Sequence, residues 1–460
     1  MSWSVEEIAG ACAGRVRGEG SVTLEGVSTD TRTLSSGQLF IALQGESYDG
    51  HDFLEEAVAR GAAAALVCRN GHAPVSVPTI RVDDTVRALG ALAAVHREAF
   101  QGPVIAITGS NGKTTTKEMC AEILAAGGAR VRRSPGNLNN HIGLPLSVLA
   151  LEETDQALVV ELGMNHAGEI DALARIASPT VGAIIQVAPA HLGLLGSIDA
   201  IARAKGELFD HIRAGGTAVI NADDTRVCAQ GERFSGRHLR FSSAHDAEFR
   251  AELEPDEGAR CAFRLSSPAG ECRVALRVPG RHLVQNALCA AACAWASGML
   301  GAQPLDAIRM GLERFEALSG RMRVIDAAGG LRVIDDSYNA NPLSVEVALR
   351  ALHSLHSQGA AVSVIGDMLE LGADAEKLHA AVGQLAARLG VDVVIGVGPL
   401  AAHTVRSARE AGVRETHAVS DSSAAAAVVR RLTPSGGTVL VKGSRSMHLE
   451  RVVAALTEKT

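Results

Sequence analysis

The chain has 460 residues, of which 47% are hydrophobic, 21% are charged and 3% are aromatic. A chain of this length is expected to fold as about two to four domains rather than around one core. The formal net charge of -7, with no run of lysine and arginine, argues against nucleic acid as a partner. The low aromatic content argues against stacking platforms for single strands.

Targeting signals and membrane spans are not expected. The start, M-S-W-S-V-E-E-I, lacks the basic and apolar regions of a secretory signal, and no apolar stretch is long enough to insert into a membrane. The eight cysteines contain no C-x-x-C pair. Cys289 and Cys293 lie on an alanine-rich helix, where core-facing residues are favoured over a metal pair. These features predict a cytoplasmic protein.

A phosphate-binding loop is predicted within residues 103–126, where a short apolar strand, a glycine turn and a helix follow one another. Lys113 can neutralise an anion that the backbone N–H groups face, and the Thr114 hydroxyl can hold Mg²⁺. Ile107 stands where the strict G-x-x-x-x-G-K-[ST] pattern has glycine, so the loop is a shortened variant; the alternative is a glycine-rich turn with a surface lysine. The predicted nucleotide ligands in this loop are Gly109, Ser110, Asn111, Gly112, Lys113, Thr114 and Thr115.

Two further loops offer polar side chains to a ligand. Residues 28–32 carry hydroxyls, a carboxylate and a guanidinium, which suit a polar anionic ligand, although ordinary turn chemistry is the more frequent cause of such a composition. Residues 134–143 contain three asparagines, which either contact a peptide or sugar or bond their own backbone. We favour ligand contact because this loop directly follows the nucleotide unit. The candidate side chains are Ser28, Thr29, Asp30, Arg32, Asn137, Asn139 and Asn140.

A carboxylate ends a predicted buried strand over residues 157–163. Carboxyl ends of strands are where open α/β sheets place ligand groups. Burying Glu161 costs free energy unless it meets a cation. Mg²⁺ beside Thr114 is the predicted cation, and an ion pair with an arginine is the alternative.

Two more candidates follow along the chain. His191 comes after a strand predicted over residues 180–187, and its position favours a role in the site over that of an ordinary hydrogen-bonded histidine. Lys205 lies on a helix predicted over residues 198–212, where the default expectation is a solvated lysine.

The predicted fold class is α/β. Beyond residue 319, strands alternate with helices and end in polar residues, which implies right-handed crossovers and a doubly wound sheet with its site at the strand carboxyl ends. Residues 240–278 instead alternate in a pattern typical of an antiparallel edge. The predicted domains are residues 1–98, 99–318 and 319–460.

A set of polar segments lies at the predicted turns, strand ends and helix starts. They are T-G-S-N-G-K-T-T from Thr108, G-N-L-N-N-H-I-G from Gly136, E-L-G-M-N-H-A-G-E-I from Glu161, A-R-A-K-G-E-L from Ala202, G-R-H-L-V-Q-N from Gly280, D-D-S-Y-N-A-N-P from Asp335, G-D-M-L-E-L-G from Gly366 and K-G-S-R-S from Lys442. Together they resemble the Mur ligases, the ATP-dependent amide-forming enzymes of peptidoglycan precursor synthesis. The resemblance covers nearly the whole chain. It is greatest to the members that add D-alanyl-D-alanine to UDP-N-acetylmuramoyl-tripeptide.

The resemblance implies a UDP-binding N-terminal domain, a central P-loop ATPase and a Rossmann-like C-terminal domain that holds the dipeptide and closes over the nucleotide. It implies ATP and two Mg²⁺ ions as cofactors, UDP-N-acetylmuramoyl-tripeptide and D-alanyl-D-alanine as substrates, and a monomer. Lys205 matches the lysine that CO₂ carboxylates in this family; a lysine carbamate can ligate Mg²⁺, whereas an ammonium cannot. The implied catalytic residues and metal ligands are Lys113, Thr114, Glu161, His191, Lys205 and Arg321.

Other positions take their roles only from this resemblance. Residues 28–32 would line the uridine-nucleotide site. The remaining implied contacts are Asn286, Asp336 and Asn339 with the nucleotide, and Lys442 and Ser444 with substrate. Two positions depart from the family: Gly193 stands where relatives often have glutamate, and Leu283 where many have asparagine or methionine.

Three competing interpretations remain at this point. A sister ligase would add a single amino acid to the muramoyl peptide, or glutamate to folate. The relative that adds diaminopimelate or lysine carries the motif D-N-P-R, and the absence of this motif here disfavours that relative. A nucleotide-switched module such as a GTPase is a different class. Residues 326–329 match D-x-x-G, but they lie far downstream and N-K-x-D is absent. A non-catalytic nucleotide-binding protein is the third interpretation.

Overall fold

The fold is known from a computed structural model. The described residues are 3–45, 48–70, 76–189, 192–254, 261–356, 359–433 and 436–458. Within them, the strands form three large sheets in chain order and one two-stranded sheet. We refer to each large sheet with its helices as a unit. None of the described helices combines the length and the apolar character needed to cross a membrane.

The first unit is built on a five-stranded sheet. Its elements are β1 (Trp3–Ser4), α1 (Val5–Ala11), β2 (Arg15–Arg17), β3 (Thr23–Leu24), β4 (Val27–Ser28), β5 (Leu39–Ile41), α2 (Leu54–Ala59), β6 (Ala64–Cys68), β7 (Thr79–Val82) and α3 (Thr85–Ala99). The order is β2-β7-β6-β5-β4, with β2 antiparallel and the other pairs parallel. Helix α3 starts at the N-cap Asp84, whose carboxylate accepts bonds from two backbone N–H groups. Leu92 of α3 packs in the first core and Ala93 in the second, so this helix joins two units.

The second unit is built on a nine-stranded sheet. Its elements are β8 (Val104–Thr108), α4 (Lys113–Ala126), β9 (Val131–Arg133), α5 (Gly143–Leu149), β10 (Ala157–Glu161), α6 (Glu169–Ala177), β11 (Val181–Ile184), α7 (Leu192–Leu195), α8 (Ile198–Gly206), β12 (Thr217–Asn221), α9 (Thr225–Gly231), β13 (Arg237–Ser242), β14 (Phe249–Leu253), β15 (Cys261–Ser267), β16 (Gly270–Leu276), α10 (His282–Ala296) and α11 (Pro304–Arg314). The order is β16-β15-β14-β13-β12-β11-β8-β10-β9. Strands β8, β10, β11 and β12 are buried throughout, as the apolar runs of a parallel sheet covered on both faces should be.

The predicted antiparallel edge is confirmed with one difference. Strands β15 and β16 pair antiparallel, and β15 is antiparallel to β14, but β14 itself pairs parallel with β13. Cys289 and Cys293 are fully buried in the core on α10, which confirms the prediction that they face the core.

The third unit is doubly wound, as predicted. Its elements are β17 (Arg323–Asp326), β18 (Leu331–Asp335), α12 (Pro342–Leu355), β19 (Ala360–Gly366), α13 (Ala375–Arg388), β20 (Val393–Val397), α14 (Ala401–Glu410), β21 (Glu415–Val419), α15 (Ser422–Leu432), β22 (Gly437–Lys442) and α16 (Glu450–Thr457). The order is β17-β18-β22-β19-β20-β21, with only β17 antiparallel among these described strands. Separate apolar cores cover its two faces. The α/β fold class is confirmed; the three domain boundaries stay predictions.

Candidate active site

The loop between β8 and α4 folds tightly around its own lysine. Lys113 Nζ donates a 2.9 Å hydrogen bond to the Gly109 carbonyl. Gly112 has a φ of +83°, and a Cβ atom there would lie 2.4 Å from Asn286 Oδ1. Only glycine combines this backbone conformation with that close approach. The loop therefore has the compact geometry that a phosphate cradle requires, with the N-terminus of α4 directed at it.

Bonds to the segment that follows β11 fix the position of this loop. The Ser110 N–H donates to the Gln186 carbonyl at 3.0 Å. The Ser110 hydroxyl donates to the Ala188 carbonyl at 3.0 Å and accepts from the Ala188 N–H at 2.9 Å. These three bonds hold the loop against the neighbouring strand, so its backbone N–H groups need little rearrangement to meet an anion.

Glu161 is a fully buried carboxylate at the carboxyl end of β10. Its Oε1 accepts a 2.8 Å bond from Asn139 Nδ2, whereas its Oε2 has no hydrogen-bond partner among the described residues. An unpartnered buried carboxylate oxygen is costly and calls for a ligand. Asn139, rather than an arginine, is the partner seen here, so the ion-pair alternative receives no support.

The donors around Glu161 suit Mg²⁺ better than a metal held only by protein. Among the described residues, no group of three histidine, cysteine, aspartate or glutamate side chains could hold a metal ion. Mg²⁺ is usually bound by one or two carboxylates, substrate phosphates and water. The free Glu161 oxygen and the buried Thr114 hydroxyl, at the start of α4, match that pattern.

Lys113, which is half-buried, and Lys205, which is buried, lie in one electrostatic environment. Burial lowers the pKa of Lys113, Glu161 opposes this change, and the positive charge of Arg321 reinforces it. Lys205, on α8, is only 2% exposed, and burial followed by the charge of Lys113 holds its pKa well below the usual range. The prediction of a solvated Lys205 from its helix alone is therefore wrong, because the side chain points into the protein.

The third unit contributes an ion pair between a lysine and an aspartate. Lys442 Nζ, at the end of β22, bonds Asp336 Oδ2 at 2.5 Å and the Asn339 carbonyl at 2.9 Å. Asp336 Oδ1 accepts a 3.1 Å bond from the Met322 N–H. Burial raises the pKa of Asp336, and Lys442 opposes that rise. The lysine is thus held in place by the carboxylate that follows β18.

An aromatic ring orients an arginine of the same unit. The Arg321 guanidinium carbon lies 4.2 Å from the centroid of the Tyr338 ring, and that of Arg445 lies 5.7 Å from it. A cation over an aromatic face is attracted by the ring quadrupole. Tyr338 therefore positions Arg321, although the sequence did not single it out.

Residues of the second and third units line one cavity of about 450 Å³. It brings together predicted residues that lie more than 300 positions apart in the chain. The predicted site residues that line it are Ser110, Asn111, Gly112, Lys113, Thr114, Thr115, Asn137, Asn139, Glu161, Asn286, Arg321, Asp336, Asn339 and Lys442. Lining residues that the sequence did not single out include Gln186, His282, Tyr338 and Asn341. Tyr338 and Asn341 belong to the D-D-S-Y-N-A-N-P run, and this run is the sequence signal that could have identified them as site residues.

Several predicted residues lie elsewhere. Gly109, Asn140, Lys205 and Ser444 are not among the described residues that line the cavity. Asn140 Oδ1 accepts bonds from two backbone N–H groups at the start of α5, which is the local alternative for this asparagine. The Ser444 hydroxyl accepts a 2.9 Å bond from the Leu369 N–H within the third unit. His191 lies outside the described residues.

In the predicted uridine loop, residues 28–32, polar side chains bond to other groups of the same loop. Arg32 Nη2 pairs with Asp30 Oδ2 at 2.6 Å, and this partner lowers the pKa of Asp30 to about 2. The buried Ser28 hydroxyl donates to the Asp30 carbonyl at 3.0 Å, and Thr29 is half-buried. Arg32 remains 82% exposed, so its guanidinium is accessible from solvent. The uridine role of this loop stays a prediction.

Known protein families and relatives match nearly the whole chain. Residues 23–97 match the catalytic domain of the Mur ligase family, residues 107–294 the Mur ligase middle domain, and residues 320–445 the glutamate ligase domain of Mur ligases. The chain is 39% identical over 462 residues to the UDP-N-acetylmuramoyl-tripeptide--D-alanyl-D-alanine ligase of Escherichia coli (strain K12), covering 100% of this chain and 99% of the relative. The chain belongs to the Mur ligase family.

Solved structures have the same fold as this Mur ligase. MurF from Acinetobacter baumannii superposes with a TM-score of 0.90 at 34% identity, over 100% of this chain and 99% of that one. MurF from Thermotoga maritima, solved in complex with ADP, superposes with a TM-score of 0.80 at 26% identity, over 94% and 96% of the two chains. The resemblance inferred from the sequence motifs is thereby confirmed.

The two departures from the Mur ligase pattern lie at close contacts. The Gly193 N–H, in α7, donates a 3.1 Å bond to the Glu370 carbonyl of the third unit. A Cβ atom at position 193 would lie 3.0 Å from the Gly372 backbone nitrogen. A side chain at this position would require the Gly372 backbone to shift, so glycine permits this close approach. Leu283 is buried and lines the cavity.

His282 is expected to make the stability of this Mur ligase sensitive to acid. Burial, followed by the charge of Lys442, lowers its pKa to about 4 from 6.5. A histidine whose pKa is depressed in the folded state contributes stability above its unfolded pKa, and that stability is lost as pH falls from about 6.5 towards 4. We expect the free energy of unfolding of the wild type to fall relative to His282→Gln across this window. Urea unfolding of both proteins between pH 7.5 and pH 4 measures the difference; a constant difference would contradict it.

Proposed function

We propose that this Mur ligase joins D-alanyl-D-alanine to UDP-N-acetylmuramoyl-tripeptide and converts ATP to ADP and phosphate. The observation that carries the proposal is the unpartnered, buried Oε2 of Glu161 in the cavity that also holds the phosphate loop. A phosphate loop beside a buried carboxylate oxygen that has no hydrogen-bond partner among the described residues suits a nucleotide with Mg²⁺. The dipeptide specificity is supported by the full-length similarity to ligases of that name.

The residues of the phosphate loop are proposed to bind and orient ATP. Lys113 and the N–H groups at the start of α4 would neutralise the β- and γ-phosphates, with Ser110, Asn111, Thr114 and Thr115 as further ligands. Mg²⁺, when bound, supplies positive charge that stabilises the transferring phosphoryl group. Thr114 and Glu161 would hold it, joined by His191. The number of ions, expected to be two, belongs to the same proposal.

The chemistry proposed for the cavity has two steps. A carboxylate oxygen of the tripeptide attacks the γ-phosphorus of ATP, the bond to the β-phosphate oxygen breaks, and ADP leaves an acyl phosphate behind. The neutral amine of D-alanyl-D-alanine then attacks the acyl carbon, loses a proton, and expels phosphate as the amide forms. Arg321, held by Tyr338, and Lys442 would offset the negative charge on the reacting groups. Closure of the third unit would keep water from the acyl phosphate.

The remaining predicted residues receive substrate roles. We infer that residues 1–98 bind the uridine nucleotide through Ser28, Thr29, Asp30 and Arg32, and that residues 99–318 and 319–460 enclose the reaction. Asn286, Asp336 and Asn339 would contact the nucleotide, whereas Asn137 and Asn139 would contact the peptide substrates. A monomer in the cytoplasm is the expected form.

Lys205 is proposed to carry a carbamate. Its lowered pKa raises the fraction of neutral amine, which is the form that attacks CO₂. The nitrogen forms a bond to the carbon of CO₂ and releases a proton, and the resulting anion would offset the charge of Lys113. We expect a carbamate signal in ¹³C NMR of protein equilibrated with ¹³C-bicarbonate, absent from Lys205→Met. A signal of equal size in that variant would contradict the assignment.

Phosphate release tests the proposed function. The protein is incubated with ATP or GTP, Mg²⁺ and UDP-N-acetylmuramoyl-tripeptide, with D-alanyl-D-alanine, L-lysine, diaminopimelate or D-glutamate as the amine. We expect rapid release only with D-alanyl-D-alanine, and a product heavier by the dipeptide. Release with a single amino acid instead would reassign the chain to a sister activity. Hydrolysis of GTP that is indifferent to every amine would support a nucleotide switch.

A further inference from the structure

One side-chain hydrogen bond joins the phosphate loop to the third unit. Asn341 Nδ2, at the start of α12, donates a 2.8 Å bond to Asn111 Oδ1. Asn341 is 9% exposed, and both residues line the cavity. Asn111 lies between Ser110, which is bonded to the segment after β11, and Gly112. The contact therefore links the most constrained part of the phosphate loop to a helix of another unit.

The helix cap determines which atom Asn341 presents to the loop. Asn341 Oδ1 accepts a 2.9 Å bond from the Ser344 N–H, and the Asn341 N–H donates a 2.9 Å bond to Ser344 Oγ. This reciprocal pair is a capping box, and it requires an acceptor oxygen on the side of the helix. The amide of Asn341 can thus turn only its NH₂ group towards Asn111.

The orientation of Asn111 follows from that of Asn341. An NH₂ group needs an acceptor, so Asn111 must offer Oδ1 to Asn341 and direct its own Nδ2 the other way. This Nδ2 is buried and has no hydrogen-bond partner among the described residues. An unpartnered buried donor is costly. In a loop shaped for phosphate, the group that would satisfy it is an anionic oxygen.

We propose that Asn341 is a positioning residue for nucleotide: it fixes the Asn111 amide so that Nδ2 donates to a phosphate oxygen. The inference rests on the proposed binding of ATP at this loop. Asn341 itself does not touch the nucleotide. The third unit thereby raises nucleotide affinity through a residue of the second unit, and a change at position 341 acts on ATP only as long as residue 111 is asparagine.

A double-mutant cycle on full-length protein tests this inference. Asn341→Ser keeps an N-cap acceptor but loses the bond to Asn111. We expect it to weaken binding of the non-hydrolysable analogue AMPPNP with Mg²⁺ about 5- to 10-fold, the effect of one lost hydrogen bond. In an Asn111→Ala background, the same change should alter the affinity less than about twofold. Isothermal titration calorimetry measures all four proteins.

Two further variants sharpen the test. Asn341→Asp also caps the helix, but its carboxylate attracts Asn111 Nδ2 and turns Oδ1 towards the phosphate, so it should weaken AMPPNP binding more than Asn341→Ser. Affinity for UDP-N-acetylmuramoyl-tripeptide and the thermal midpoint should stay unchanged in Asn341→Ser and in Asn341→Asp. An equal effect of Asn341→Ser in both backgrounds, or none in either, would overturn the inference. If Lys113→Ala also leaves AMPPNP affinity unchanged, the nucleotide site itself has been misplaced.

Discussion

Replacing Lys113 by alanine is expected to lower kcat about 10³-fold, the largest effect of any single substitution in the cavity. The side chain is the cation nearest the predicted phosphates, and its ammonium lies against the Gly109 carbonyl within the loop. Removing a preorganised charged donor from a phosphate site removes stabilisation of the negative charge that develops on the transferring group. Phosphate release at saturating substrates measures the loss.

The control for this variant is another lysine-to-alanine change. Lys377 is exposed on α13, away from the lining of the cavity in the described residues. Lys377→Ala should keep full activity, and both variants should have the far-ultraviolet circular dichroism of the wild type. Near-wild-type turnover by Lys113→Ala would show that this loop does not bind the reacting phosphates.

Glu161→Gln is expected to lower kcat about 10²-fold and to raise the Mg²⁺ concentration needed for half-maximal rate. Glutamine still accepts the Asn139 bond at Oε1 but puts an NH₂ group where the unpartnered Oε2 lies, so it removes the anionic ligand and little else. Loss of metal-based charge stabilisation accounts for several kcal/mol of barrier in general. Steady-state rates over a Mg²⁺ titration provide the comparison.

The thermal stability of Glu161→Gln provides an independent test of the same metal role. A ligand that binds only the folded state raises its stability, so Mg²⁺ with ADP should raise the Tm of the wild type more than that of Glu161→Gln. Without ligand, the variant should be at least as stable as the wild type, because burying a neutral amide costs less free energy than burying a carboxylate. Glu153→Gln, at an exposed glutamate, is the control. Identical ligand-induced shifts in all three proteins would exclude Glu161 from the metal site.

The parts of the site that sequence could predict are those set by local structure. The turn after β8 and the carboxyl end of β10 follow from apolar runs that break into polar residues, and the structure brings Lys113 and Glu161 from these two places to one cavity. Asn140 shows the limit of that method, because an asparagine before a helix can cap it as readily as it can contact a ligand.

Contacts between units could not be predicted in the same way. Asn111 and Asn341 lie 230 positions apart, and their bond depends on how two separate sheets approach each other. Arg321 was named from a family resemblance, but the Tyr338 ring that holds it came only with the structure. Lys205 looked like a surface lysine because the helical pattern of its segment did not show that its face of the helix is covered.

Transfer of labelled oxygen tests the central claim most directly. UDP-N-acetylmuramoyl-tripeptide carrying ¹⁸O in its reactive carboxylate is incubated with ATP, Mg²⁺, D-alanyl-D-alanine and the protein, and the released phosphate is analysed by mass spectrometry. Attack of the carboxylate on the γ-phosphate predicts one ¹⁸O atom in each phosphate formed from fully labelled substrate, in step with amide product. Phosphate without label would mean that water, not the peptide, accepts the phosphoryl group, and would contradict the ligase mechanism proposed for this cavity.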